Sequence, residues 1–291
     1  MIDIGRVGIW QGVLDGHPAG AVRETVAELD ELGWPCLWIP ETVSRDPFVS
    51  AAVMLGGCDN MKVATGIASI WARDAMTTAN ASKTLNEAYD GRFLLGLGVS
   101  HHTITEYVRK HEYAKPLTRM REYLERMGKS MFKGVEPAEP PSVVLAALGP
   151  KMLALSAELA DGAHPYFAPV EHTAIAREAV GPDKMVATEQ MVVLETDPAK
   201  AREIARKHMA VYLGLPNYAN NLLRFGFTEA DVADASDPLV DAIVAWGSTD
   251  TIVERVRAQH DAGASHVCVQ VLQDDTSIPM EAWRELASAL L

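Results

Sequence analysis

The stretch "GRFLLGLGVSHH", from Gly91 to His102, places two glycines at the end of an apolar run and two histidines just beyond it. Two glycines one residue apart begin the dinucleotide-binding fingerprint, whose third glycine follows three residues after the second and lets a helix pack against the strand. That position holds His101 here. The fingerprint is incomplete, so the stretch is better explained as a strand that carries two histidines towards a site.

Apolar, β-rich runs alternate with helical patterns on both sides of this stretch. The predicted strands are "RVGIW" (6–10), "CLWIP" (36–40), "KVATGIASI" (62–70), "FLLGLG" (93–98), "SVVLAAL" (142–148), "GAHPYF" (162–167), "KMVATEQMVVLE" (184–195) and "HVCVQVL" (266–272). Each is followed by a segment with apolar residues at helical spacing. Eight such units predict an α/β fold, a (β/α)8 TIM barrel. A doubly wound sheet is the alternative, and the missing glycine argues against it.

One connection is longer than a barrel requires. About 70 residues, 196–265, separate the seventh and eighth predicted strands and are typical of several helices rather than one crossover. No internal repeat and no low-complexity linker divides the chain. We therefore expect a single domain, 1–291, with a helical insertion at about 196–265.

Composition narrows the class of protein. The formal net charge is −13, which disfavours nucleic acid as a partner. Neither a signal peptide nor a run of about 18 apolar residues is visible, so we expect a cytoplasmic protein that acts on a small molecule away from membranes. Cys36, Cys58 and Cys268 are odd in number and widely spaced, and the apolar runs around Cys36 and Cys268 indicate buried, reduced thiols.

In a TIM barrel the site lies at the carboxyl ends of the strands. His101 and His102 follow the fourth strand there, and imidazole suits proton transfer near neutral pH, although two solvated loop histidines would give the same pattern. Glu41 ends an apolar strand, where a carboxylate is costly to bury without a partner. It could receive a hydrogen bond in the site, or it could pair with Arg45 or Arg73.

The segment "LGPKML" (148–153) places Gly149 and Pro150 at the start of a helix. Free N–H groups at such a start, together with Lys151, would suit an anion such as a phosphate, although Gly-Pro is also ordinary at a helix start. A metal-dependent barrel hydrolase is disfavoured, because no histidine–carboxylate cluster with ligand spacing is present. We expect no metal.

Four blocks carry a family likeness: "ELDELGWPCLWIPE", "VATGIASIWARDAMTTANASKTLNEAYDGRFLLGLGVS", "LAALGPKMLALSAELADGAH" and "VRAQHDAGASHVCVQV". Together they resemble the bacterial luciferase-like superfamily over nearly the whole chain, and most closely its branch that uses coenzyme F420, a deazaflavin, instead of FMN. The resemblance implies a (β/α)8 barrel with an insertion region, and often a homodimer.

The resemblance also implies site residues. A cis non-prolyl peptide bond behind the deazaflavin ring would fall at Gly66 and Ile67. The acidic residue after strand two corresponds to Glu41, which would contact the ring's polar edge. The phosphate-binding turn corresponds to a run after strand five, namely Ala146, Ala147, Leu148, Gly149, Pro150 and Lys151. Val99, Ser100 and His101 would line the exposed face of the ring.

Two positions depart from the pattern of the sugar-phosphate-oxidising members. Their catalytic histidine falls at Thr42, a cofactor-site position here, and their acid/base glutamate falls at His101. Sugar-phosphate oxidation is therefore disfavoured, and His101 is the predicted proton-transfer residue, with Glu41 beside it.

The implied function is hydride transfer between the deazaflavin and a small organic substrate. Aromatic residues of the insertion would cover the pocket, namely Tyr212, Tyr218, Phe225, Phe227 and Trp246. An FMN-dependent luciferase-like monooxygenase and a non-catalytic flavin-binding protein are the alternatives.

Overall fold

A computed structural model describes residues 1–291, and its centre is a ring of parallel strands. The strands are β1 (Val7–Trp10), β2 (Cys36–Ile39), β3 (Lys62–Thr65), β4 (Ala68–Ser69), β5 (Phe93–Gly98), β6 (Val143–Ala146), β7 (Gly162–His164), β8 (Met185–Val193), β9 (Val244–Trp246) and β10 (His266–Val271). The helices are α1 (Ala19–Glu31), α2 (Pro47–Leu55), α3 (Ala75–Ala88), α4 (Pro116–Gly128), α5 (Pro150–Leu159), α6 (Val170–Val180), α7 (Pro198–Leu213), α8 (Pro216–Arg224), α9 (Glu229–Asp234), α10 (Asp237–Ile243), α11 (Thr249–Asp261) and α12 (Met280–Leu290).

The ring closes because β10 pairs with both β1 and β8. Counting β3 and β4 as one interrupted strand, eight parallel strands form the barrel, so the predicted TIM barrel is confirmed. The third strand, predicted as continuous over 62–70, breaks at Gly66 and Ile67, and both of its halves pair with β5. The ninth strand, β9, was not predicted; it lies outside the ring beside the end of β8.

Successive residues of a strand point to opposite faces, and the packing follows this alternation. Leu37 and Val63 belong to the same apolar cluster as the buried faces of α1 and α2. Their neighbours Trp38 and Ala64 belong to a second cluster, with inward residues of β6, β8 and β10. Both faces of the strands are therefore buried, which is why they appear in the sequence as continuous apolar runs.

Local signals in the sequence fix the starts of several helices. The Asp46 carboxylate accepts hydrogen bonds from the first turn of α2, where Pro47 occupies the first helical position. The Asp74 carboxylate caps α3 in the same way. Asp197 caps α7 at the start of the long connection between β8 and β10. That connection contains α7 to α11 together with β9.

One predicted strand is longer than the structure shows, and one helical turn was not predicted. The sixth predicted strand, 162–167, ends at His164, because the chain turns at Phe167 with a φ of +55°. A π-helical turn, Thr103–Val108, follows the two histidines and was not predicted.

The three cysteines are buried and unpaired. No helix combines the length and the apolar character that a membrane crossing requires.

Candidate active site

A cavity of about 260 Å³ opens at the carboxyl ends of the barrel strands, on the side of β4 to β7. Ile67 and the run from Gly98 to His101 form one wall, and the run from Ala146 to Gly149 forms another. His164 and Tyr166 contribute from the end of β7, and α8 closes the remaining side. Sites in TIM barrels lie at this end. The structure thus brings together most of the predicted cofactor-site residues.

The two glycines of the opening stretch leave room for the interruption between β3 and β4. A Cβ built on Gly96 would lie 1.8 Å from the Thr65 carbonyl oxygen, and one built on Gly98 would lie 2.3 Å from Cδ1 of Ile67. The Gly66–Ile67 peptide bond is cis, as the resemblance implies. Gly96 and Gly98 therefore let Ile67 approach β5 and form part of the cavity wall. The glycines of a dinucleotide-binding fingerprint instead make room for a phosphate.

His101 and His102 diverge, and only His101 lines the cavity. Nδ1 of His101 lies 3.2 Å from Oδ1 of Asn217 on α8. An amide oxygen only accepts, so Nδ1 carries the proton and Nε2 is left as the free nitrogen. Burial lowers the pKa of His101, and the bond to Asn217 partly opposes this. His102 is exposed and pairs with Glu106 at 3.0 Å.

Glu41 does not line the cavity. Its carboxylate, 3% exposed, lies 2.8 Å from Arg73 and 2.7 Å from Arg109, and it also accepts a hydrogen bond from the Ser69 N–H. These partners engage both oxygens, which is the structural pairing that the sequence left open for Arg73. The contact of Glu41 with a cofactor ring stays a prediction.

Thr42 is exposed, and its hydroxyl forms a hydrogen bond with the Ser44 hydroxyl. Gly66 lies behind Ile67 and outside the cavity wall.

The start of α5 meets the open end of the cavity. Gly149 provides no side-chain cap, Pro150 has no N–H, and the Met152 N–H donates to the Gly149 carbonyl oxygen. The Lys151 N–H is therefore the one backbone donor in the first turn of α5 that is free to bind a ligand. Nη1 of Arg224 lies 3.8 Å from the position of a Cβ on Gly149, and Arg224 forms part of the wall. Pro150 and Lys151 are exposed on α5 and are not among the wall residues. The cation next to the helix start is Arg224, which the sequence did not indicate.

The β7 end of the cavity is aromatic and hydrogen-bonded. Tyr166 packs against Trp10, with ring centroids 4.9 Å apart, and its hydroxyl lies 2.7 Å from that of Tyr212 and 2.9 Å from the amide oxygen of Gln270. Tyr218 lines the cavity and stands 5.6 Å from the His101 ring. Tyr212 and Tyr218 come from the insertion, where aromatic cover was predicted.

The buried carboxyl group of Glu189 is hydrogen-bonded to the turn at Phe167, which follows β7. Glu189 faces the barrel interior, and one carboxyl oxygen accepts a hydrogen bond from the Phe167 N–H at 3.2 Å, while the other has no partner. Burial raises the pKa of Glu189 to about 8, against the opposing effect of the Phe167 bond. The carboxyl is therefore mainly protonated at neutral pH and holds the turn that presents Tyr166.

His164, Met152, Asn217, Asn220 and Arg224 complete the cavity wall without having been predicted. His164 ends a short apolar strand and is typical of a core histidine in the sequence. Asn217, Asn220 and Arg224 lie on α8, more than a hundred residues from His101 in the chain, and no local pattern indicates that α8 folds over the barrel mouth.

Known proteins share this architecture. The 5,10-methylenetetrahydromethanopterin reductase of Archaeoglobus fulgidus is 25% identical over an alignment 285 positions long, which covers 82% of this chain and 85% of the reductase. An F420-dependent secondary alcohol dehydrogenase, solved with an F420–acetone adduct, superposes with a TM-score of 0.79 at 13% identity over 98% of both chains. The FMN complex of the oxygenating constituent of 3,6-diketocamphane monooxygenase from Pseudomonas putida superposes with a TM-score of 0.67 at 18% identity, over 97% of this chain and 95% of its own.

The two superpositions establish a shared fold. The family model for luciferase-like monooxygenases matches residues 6–266, from the first barrel strand to the start of the last. Because that match covers most of the sequence, this chain belongs to the luciferase-like monooxygenase family.

Proposed function

We propose that this protein is a coenzyme F420-dependent oxidoreductase that transfers a hydride between the deazaflavin and a small organic substrate. The observation that carries the proposal is one continuous cavity that joins the Ile67 wall to the uncapped start of α5. The reductase and the alcohol dehydrogenase named above support the choice of cofactor.

The residues present fit such a cofactor at both ends of the cavity. The free Lys151 N–H at the start of α5 and the Arg224 guanidinium suit a phosphate. At the inner end, Ile67, Gly98 and Val99 offer an apolar surface for a planar ring, and a buried nitrogen of His164 there has no hydrogen-bond partner. A buried polar atom without a partner is costly, so an orphaned nitrogen in a cavity wall favours a ligand that meets it.

When bound, coenzyme F420 would accept or supply the hydride at C5 of its ring. The part of this chain is to orient the reactants, to exclude water and to handle the proton. His101 is placed for the proton, since Asn217 holds Nδ1 and leaves Nε2 free. Tyr166 and Tyr218 form an aromatic wall beside it, which suits a small substrate with an apolar part.

The test is a fluorescence titration of the cofactor-free protein with coenzyme F420 and, separately, with FMN. We expect F420 to bind at least about tenfold more tightly than FMN, a difference of about 1.4 kcal/mol. Arg224→Gln should weaken binding of F420 but leave binding of its phosphate-free ring nucleoside unchanged. Lys151→Gln is the matched control, because Lys151 lies outside the wall, and it should have the smaller effect. If neither cofactor binds, the proposal is wrong.

The second candidate is an FMN-dependent monooxygenase that uses oxygen. It is favoured by the FMN complex that shares this fold, and both cofactors carry a phosphate for the start of α5. Tighter binding of FMN, with oxygen consumption by the reduced holoprotein, would favour this candidate. A non-catalytic flavin-binding protein would bind a cofactor and show no turnover in a substrate screen.

A further inference from the structure

His164 occupies an unusual position on the inner face of the barrel. Its ring is 1% exposed and stacks on Trp38, with centroids 4.4 Å apart and planes 13° from parallel. The pairing of β6 with β7 sets His164 level with Ala146, at the depth where the cavity ends. The indole therefore fixes the plane of the imidazole, and one edge of the ring faces the cavity.

The backbone fixes which nitrogen of His164 carries the proton. Nδ1 lies 2.7 Å from the Ala187 carbonyl oxygen, which can only accept a hydrogen bond. Nδ1 must therefore be the N–H, and Nε2 carries the lone pair. Burial lowers the pKa of His164 to about 4, so the ring stays neutral in this form at physiological pH. Nε2 has no partner in the protein.

A second orphaned group lies beside it. Nε1 of Trp10 is buried and also has no hydrogen-bond partner. A Cβ built on Gly66 would lie 2.4 Å from Nε1 of Trp10 and 3.2 Å from Nε2 of His164, so both atoms face the same side of that glycine. Of the two residues, His164 lines the cavity and Trp10 does not.

These features give the cavity two chemically different ends. The α5 end offers the Lys151 N–H and the Arg224 guanidinium and selects an anion, whereas the lone pair of His164 repels anions and requires a hydrogen-bond donor. The geometry points to His164 as the residue that orients the bound cofactor by accepting a hydrogen bond from the imide N–H of its pyrimidinedione ring.

This assignment rests on the proposed function, because it needs a flavin or deazaflavin in the cavity. It is independent of the choice between F420 and FMN, since both rings carry an imide N–H between two carbonyls. That edge presents a hydrogen-bond donor, which complements the lone pair of His164 Nε2. An alcohol substrate or a trapped water would offer His164 a donor as well, and the experiment separates these occupants.

The experiment compares the phosphate-free ring of whichever cofactor binds, 8-hydroxy-5-deazariboflavin or riboflavin, with its N3-methyl derivative, which lacks the imide proton. Affinities are measured by fluorescence titration of wild type, His164→Phe and His164→Ala. His164→Phe keeps a flat ring on Trp38 and removes the acceptor. His266→Phe is the control, because His266 also packs near Trp38 but uses both nitrogens inside the barrel, on Trp38 and Gly5.

We expect His164→Phe to weaken binding of the unmethylated ring by about tenfold to a hundredfold, the range for a lost buried hydrogen bond. The N3-methyl ring should bind wild type equally poorly, and His164→Ala, which makes room for the methyl group, should restore its binding. A role of His164 in folding alone would change the melting temperature without changing this selectivity.

The assignment is overturned if wild type binds both rings equally, because the imide edge then lies elsewhere. It is also overturned if His164→Phe binds the unmethylated ring as wild type does and only KM for an alcohol substrate rises, because the donor then belongs to the substrate. Should His164→Phe fail to fold, the comparison of the two rings on wild type decides by itself. Failure of wild type to bind any ring would instead refute the proposed function.

Discussion

The buried carboxyl of Glu189 should make the stability of this protein fall as the pH rises above neutrality. Burial raises the pKa of Glu189 to about 8 in the folded chain, whereas an unfolded glutamate titrates near its ordinary value of 4.5. Between these values the folded chain binds the proton more tightly than the unfolded chain does. The resulting stabilisation is complete below pH 4.5 and is lost as the pH rises through about 8.

The magnitude follows from the two pKa values at 1.36 kcal/mol per pKa unit. Between pH 6 and pH 9, this group alone should lower the free energy of unfolding by about 2.5 kcal/mol. Glu189→Gln removes the titration but keeps a carbonyl oxygen for the Phe167 N–H. The free energy of unfolding of Glu189→Gln, relative to that of wild type, should therefore rise by about 2.5 kcal/mol from pH 6 to pH 9.

The assay is urea unfolding followed by tryptophan fluorescence at pH 6, 7, 8 and 9, with the wild-type value subtracted from that of the variant. Glu122→Gln on α4 is the matched control, since its carboxylate is half-exposed and makes only a 3.8 Å ion pair with Arg119. A difference between wild type and Glu189→Gln that stays flat from pH 6 to pH 9 would refute the assignment of a buried, protonated carboxyl.

Three further predictions follow from other parts of the structure. His101→Ala should lower turnover by about 10²- to 10⁴-fold with little change in cofactor affinity, and unchanged turnover would exclude the proton role. Gly96→Ala should destabilise the fold by several kcal/mol in urea unfolding, because its Cβ would meet the Thr65 carbonyl oxygen at 1.8 Å, whereas Gly20→Ala in the open first turn of α1 should be neutral or stabilising. Burial lowers the pKa of His164, His208 and His266 to about 4, so their contribution to stability, complete above pH 6.5, is lost as the pH falls towards 4. Each of these histidines should lower the free energy of unfolding by about 2 kcal/mol between pH 7 and pH 5. The measurement is urea unfolding in the Glu189→Gln background, and a free energy of unfolding that does not change over this range would contradict the prediction.

The barrel was predictable because its signals are local. Each strand is a short apolar run, and caps such as Asp74 mark where the next helix begins. The rule that sites lie at the carboxyl ends of strands then selected His101, and the family resemblance added the run from Ala146 to Gly149. The structure places all of these residues on one cavity.

Other parts of the site depend on contacts between distant segments. Glu41 ends its strand as a catalytic carboxylate would, and only the folded chain shows Arg73 and Arg109 on either side of it. Asn217 and Arg224 reach the cavity because α8 folds across the barrel mouth, which no spacing in the sequence specifies. His164 was missed because a histidine in an apolar run is usually a satisfied core residue. Its significance lies in the one nitrogen that the fold leaves without a partner.

The stretch from Gly91 to His102 depends both on its local sequence pattern and on contacts with a distant segment. Gly96 and Gly98 alternate along β5, so both point to the same face of the strand, towards the break in the neighbouring third strand. Side chains at these positions would occupy the space that Thr65 and Ile67 now fill. With larger residues there, β3 could not bend, Ile67 could not enter the cavity wall, and no space would remain in front of His164. The pair of glycines that imitates a nucleotide-binding turn is therefore what lets Ile67 enter the cavity wall. Gly98 stands two residues before Ser100, which lines the same cavity together with His101.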